Sequence, residues 1–132
     1  MMAKKKILLI DDDKDFLFAT KLILEKAGYE VFMAEDGKTG VEMWQTITPD
    51  LAIIDMMMET WGEGFSVLTK IRTTDAGKDT PLFMLSAVDL QGPYNAYEPP
   101  AEFPKLNRVL QKPIKADDLL RYIAQELGNK QA

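Results

Sequence analysis

The chain has 132 residues, 46% of them hydrophobic and 28% charged, which suits one ordinary domain with its own core and is short for two. Cysteine and histidine are both absent. That excludes a disulfide framework, a thiolate site, an internal histidine base and an internal phosphohistidine carrier, and it suits a reducing compartment. The net charge of −5 argues against a nucleic-acid surface, and the start, MMAKKKILLI, has too short an apolar run before Asp11 for a signal-peptide core or a membrane span. A cytoplasmic protein that binds neither nucleic acid nor membrane is expected.

Lys6 to Ile10 is a continuous apolar run of the kind that forms a strand buried on both faces. Phe16, Ala19, Thr20, Ile23 and Ala27 then recur at helical spacing until Gly28 stops the helix. Tyr29 to Ala34 reads as a second strand, EDGKTG as a turn, and Thr39 to Thr46 as a helix burying Val41 and Trp44. PDLAIID, residues 49 to 55, is the most apolar strand. Phe65, Leu68 and Ile71 mark a third helix, and PLFMLS, 81 to 86, another buried strand. The stretch that follows holds Pro93, Pro99, Pro100 and Pro104, four of the seven prolines. Proline removes a donor and clashes with the preceding turn, so the fourth helix is expected to be shortened or replaced by an extended proline-rich loop rather than regular. Arg108 to Leu110 is a short last strand, and Ala116 to Leu127 a closing helix with Leu119, Leu120 and Ile123 inward.

Strand and helix alternate throughout, which favours an α/β domain whose five parallel strands are covered on both faces by crossover helices. In the doubly wound, flavodoxin-like order 2-1-3-4-5, the ligand crevice lies outside the carboxyl ends of strands 1 and 3. Those ends carry Asp11, Asp12 and Asp13 on one strand and Asp55 on the other. Adjacent carboxylates repel and are costly to bury, so a cation is expected among them. Mg²⁺ suits a few carboxylates because it keeps several waters. Ser86 and Lys112 end or follow strands on the same rim and add a hydroxyl and an ammonium. Such a set can receive a phosphoryl group, with Asp55 as the nucleophile.

These residues resemble the receiver domains of bacterial two-component response regulators, and single-domain chemotaxis-type receivers in particular, over nearly the whole chain. IDDD matches the family's acidic pair at Asp11 and Asp12, LAIID ends at the phosphoacceptor position Asp55, MLSA carries the hydroxyl at Ser86, and QKP the lysine at Lys112 before a proline that is usually cis. A chemotaxis receiver is a type example of the strand order used above, so order and resemblance are one argument rather than two. The resemblance implies a single receiver domain over residues 1–132, with its core at about 4–128. It implies Mg²⁺ held by Asp12, Asp55 and the backbone carbonyl of Met57, with Asp11 acting through water. A sensor histidine kinase or histidine phosphotransfer protein would donate phosphoryl to Asp55, and the switched surface would meet a downstream protein. No turnover enzyme is implied beyond the domain's own phosphorylation and dephosphorylation. The latter is expected to be slow, because Met57 and Val88 stand where a side chain could orient the attacking water, yet neither can hydrogen-bond it and both can shield the phosphoryl group.

Taken singly, the residues have plainer readings. Asp13 is a helix N-cap, Ser86 a strand-end hydroxyl, Lys112 a surface charge, and MMM at 56 to 58 packing. Asp11 and Asp13 also have the spacing of haloacid-dehalogenase-type phosphatases, but Asp15 stands where those enzymes want threonine or valine, and Asp55 would have no role. A receiver-like adaptor that works without phosphorylation would usually lack one of the matched residues, and here none is lacking. Two departures from the receiver pattern stand out. Glu59 replaces a proline, with Gly64 one place later than usual, and Val109 occupies the position of the aromatic switch residue.

Overall fold

A computed structural model describes residues 4–56, 63–75, 77–86 and 106–128. Within them the chain forms β1 (Lys6–Ile10), α1 (Lys14–Lys26), β2 (Glu30–Ala34), α2 (Gly37–Ile47), β3 (Leu51–Asp55), α3 (Glu63–Arg72), β4 (Leu82–Ser86), β5 (Arg108–Gln111) and α4 (Ala116–Glu126). The five strands make one parallel sheet in the order β2-β1-β3-β4-β5. This is the expected doubly wound, flavodoxin-like order. The proline-rich stretch lies outside the described residues, apart from its last positions.

Alternation along the strands divides the core in two. Ile7, Leu9, Leu51, Ile53, Phe83, Leu85 and Leu110 point to one side, where Leu17 and Leu24 of α1 and Leu119 and Ile123 of α4 cover them. Leu8, Ile10, Ala52, Ile54, Leu82 and Met84 point to the other, where Trp44 of α2 and Val67, Leu68 and Ile71 of α3 cover them. Both faces of the central strands are therefore dry, which is why their sequences run apolar without a break. Phe83 is wholly buried, and its truncation to alanine would cost about 3–5 kcal/mol.

Two local readings of the sequence shift. The buried stripe of α1 is Leu17, Thr20 and Leu24, with Phe16 and Ile23 half-buried, while Ala19 and Ala27 face solvent together with Phe18 and Leu22. FLFATKLILEKA is apolar in more than one helical phase, so spacing alone does not choose the face. The second shift is at EDGKTG, where helix begins at Gly37 instead of Thr39. Asp36 caps α2 by accepting a hydrogen bond from the Thr39 amide at 2.7 Å. Gly40 lies on that helix against Ile10, close enough that a Cβ would come within 2.6 Å of the Ile10 side chain. Gly40, one of the glycines that suggest a turn in sequence, serves here to bring α2 down onto β1.

Candidate functional site

The carboxyl ends of the strands form the site, and ladder hydrogen bonds fix each end. Asp11 directly follows β1, and its amide donates to the Ala34 carbonyl at 3.1 Å, extending the pairing with β2. The chain then turns, because the Asp11 carboxylate accepts a bond from the Asp13 amide at 2.9 Å. Asp13 in turn caps α1 through the Phe16 amide. Asp55 is the last residue of β3, and the next amide, that of Met56, bonds to the Leu85 carbonyl at 2.9 Å. Ser86 ends β4 opposite Gln111 and is buried, and its carbonyl accepts from the Lys112 amide at 2.7 Å. The Lys112–Pro113 peptide bond is cis.

Carboxylate oxygens of Asp11, Asp12 and Asp55 lie within 4.8 Å of one another, with Asp11 and Asp55 buried and Asp12 exposed. The Lys112 ammonium reaches into this group, with Nζ 2.7 Å from Asp11 Oδ2 and 3.6 Å from Asp55 Oδ2. Burial is the largest single influence on Lys112 and pulls its pKa down. The hydrogen bond to Asp11 and the charges of Asp11, Asp55 and Asp13 together outweigh burial and hold the pKa above the usual lysine value. The ammonium is therefore a fixed charge at any physiological pH. Three carboxylates against one ammonium leave two negative charges, and the donors are all hard oxygens. That donor set fits a divalent cation such as Mg²⁺.

Four of the expected residues, Asp11, Asp12, Asp55 and Lys112, are thus brought together, and Ser86 sits on the adjacent strand end of the same edge. Met57, Val88 and Glu59 lie outside the described residues. Val109 is half-buried and packs with the α2 and α3 side of the core. Two contributors were not picked out from sequence for these roles. The Phe16 ring lies 4.6 Å from Lys112 Nζ, within range for a cation–π contact that holds the ammonium from the α1 side. Gly64, in the first turn of α3, has its amide 3.2 Å from the Met56 carbonyl, and a Cβ there would overlap the Asp55 carbonyl oxygen. Its displaced position in the sequence is the signal that marks it, since only glycine fits so close to the end of β3.

Residues 7–124 match the response regulator receiver domain family. Among curated relatives, the DNA-binding dual master transcriptional regulator RpaA of Synechocystis sp. is 31% identical over 116 residues, covering 87% of this chain and 46% of that protein. The chain spans about half the length of the curated relatives it matches first. A CheY-like response regulator receiver domain protein from Methanospirillum hungatei superposes with a TM-score of 0.80 at 28% identity, covering 96% of this chain and 95% of that one. The receiver domain of the Pseudomonas aeruginosa sensor histidine kinase PA1611, described with a magnesium ion coordinated in its active-site cleft, gives 0.81 at 26% identity, over 96% of this chain and all of that one. No described helix is long and apolar enough to cross a membrane. With the family matched over nearly its whole length, the chain belongs to the response regulator receiver domains of two-component systems.

Proposed function

We propose that this chain is a single phosphoacceptor receiver domain spanning residues 1–132, acting in the cytoplasm, in which Asp55 takes a phosphoryl group from the phosphohistidine of a sensor kinase or histidine phosphotransfer protein. The observation that carries this is the convergence of Asp11, Asp12 and Asp55 around the Lys112 ammonium at the crevice between β1 and β3. An Asp55 carboxylate oxygen attacks phosphorus, the bond from phosphorus to the donor imidazole nitrogen breaks, and that nitrogen keeps the electron pair. Lys112 is placed to pair with a phosphoryl oxygen as charge builds on it. Ser86, ending the neighbouring strand, would donate its hydroxyl to another oxygen and so draw the end of β4 toward the site, altering the surface a downstream protein reads. Asp12, Asp55 and the Met57 carbonyl would hold Mg²⁺, with Asp11 reaching it through water. When bound, the ion would supply neutralising charge for the phosphoryl oxygens. Among relatives, RpaA is named as DNA-binding; for the present residues, with their net charge of −5, the proposed readout is protein contact.

Incubation with acetyl phosphate and Mg²⁺, followed by intact-mass measurement, tests the reading. One phosphoryl adduct is expected in the wild type, none in Asp55→Asn, and slow decay once the donor is removed. A wild-type protein that stays unmodified, or an adduct that survives Asp55→Asn, would overturn it.

A further inference from the structure

Lys112 is delivered to the site by the least supported strand of the sheet. β5 has four residues, pairs with β4 alone among the described strands, and begins twenty-two residues after Ser86. The other charged groups come from β1 and β3, which are paired on both sides. Something must set the register of β5. A slip of one residue would turn Lys112 to the opposite face, and each residue of slip moves it about 3.3 Å along the strand. Either displacement would break contacts of 2.7 and 3.6 Å.

The residue just before β5 is Asn107. Its amide donates to the Leu82 carbonyl at 3.0 Å, and its side-chain Oδ1 accepts from the Leu82 amide at 3.0 Å. One residue thereby engages both backbone groups of the first residue of β4. The side-chain oxygen takes the place of the carbonyl that a longer β5 would supply by extending the ladder. Oδ1 also accepts from Arg72 at the end of α3, at 3.1 Å, and Nδ2 donates to Glu126 at the end of α4, at 2.9 Å. Arg72 is anchored in turn to the carbonyls of Gly77 at 2.8 Å and Thr80 at 2.6 Å. The amide oxygen needs two donors and the amide nitrogen an acceptor. Leucine or alanine could meet none of these, and aspartate would set a second carboxylate against Glu126.

We infer that Asn107 is a positioning residue for the phosphorylation site: by locking the start of β5 onto Leu82 between α3 and α4, it sets the register that brings Lys112 Nζ to Asp11 and Asp55 at the other end of the strand. This rests on the receiver reading of those residues. A general loss of stability would weaken every function of the domain together. A register lock acts selectively, through Lys112, and leaves the carboxylates of β1 and β3 where they are.

The test is a double-mutant cycle on the full chain with acetyl phosphate as donor. Asn107→Ala is expected to slow Asp55 phosphorylation roughly tenfold or more, as displacements of about an ångström do. In the Lys112→Ala background it should cause no further loss, and Mg²⁺ affinity of Asn107→Ala should stay within about twofold of wild type. Losses that multiply independently, or a metal affinity that falls with the rate, would overturn the inference. Should Asn107→Ala not fold, Glu126→Leu removes one of the three side-chain partners and should show the same pattern with a smaller loss. Backbone hydrogen exchange gives a readout independent of phosphorylation. The Lys112 amide, bonded to Ser86, should lose protection in Asn107→Ala while the Met56 amide, bonded to Leu85, keeps it; equal protection of both in the variant would refute the lock. A wild type that takes no phosphoryl group would count against the receiver reading alone, and the exchange result would still decide the lock.

Discussion

At the carboxyl end of the sheet three carboxylates gather around one ammonium and leave charge for a cation or a phosphoryl group to answer. At the amino end the polar groups answer one another: Arg72 bonds the carbonyls of Gly77, Lys78 and Thr80 and the side chain of Asn107, which bonds Leu82 and Glu126. Both clusters sit where strands stop and backbone groups run out of ladder partners, so both need polar side chains. The difference lies in what completes them. The amino-end network is complete in itself and serves stability, whereas the carboxyl end holds like charges together at a cost in stability, which is what a binding site is expected to do.

The largest test of that contrast is Arg72→Met. Burial presses the Arg72 guanidinium toward a lower pKa, with Asp79 opposing, yet it remains charged and holds the α3–β4 connection closed. Removing it strands several carbonyls and the Asn107 oxygen, and a loss of about 2–4 kcal/mol in urea unfolding is expected. A loss under about 0.5 kcal/mol, the level of an ordinary surface change, would mean the amino-end network is not the stabilising one.

The second test works the other end. Mg²⁺ that binds only the folded state should stabilise the wild type, by about 1.4 kcal/mol when its concentration is ten times Kd. Asp12→Asn should abolish that gain and, without metal, should leave the protein slightly more stable than wild type, because one of three clustered like charges is gone. Metal stabilisation that persists in Asp12→Asn would remove Asp12 from the site; a metal-free Asp12→Asn protein less stable than wild type would show that the cluster is not strained by its charges.

The two ends were also unequally legible. Strands β1, β3 and β4 are buried on both faces and therefore spell themselves as unbroken apolar runs. An aspartate at the end of such a run is conspicuous, so Asp11, Asp12 and Asp55 could be picked out, and the QKP step placed Lys112 on the same edge. The five-strand order followed from the alternation and the family likeness together. The inward face of α1 did not follow, since its apolar residues fit more than one phase and packing against β2 and α4 makes the choice. The early start of α2 was hidden by the two glycines of EDGKTG, of which Gly40 is there because Ile10 lies so close. Asn107 and Arg72 are 35 residues apart, and neither has a periodicity or neighbour that marks it. A network of polar side chains closed across α3, β4, β5 and α4 exists only once the chain is folded.

The smallest effect separates the ends by pH in metal-free solution. The Lys112 pKa is raised in the folded protein, so its contribution to stability is present in full below the unfolded value of about 10.4 and is lost as pH rises through the higher folded value. Asp36, capping α2, is the opposite case. Its hydrogen bonds from Thr39, backbone first, lower its pKa, so its contribution is present above the unfolded value of about 3.9 and is lost as pH falls through the lower folded one. Between roughly pH 5 and 9 neither group changes charge, and stability should be nearly level as far as these two decide it. Urea midpoints measured across the range check this. Lys112→Met should flatten only the alkaline limb and Asp36→Asn should reduce only the acid one. An alkaline limb unchanged in Lys112→Met would mean the ammonium draws no net stabilisation from the carboxylates around it, and the carboxyl end would then depend wholly on an added cation for its balance of charge.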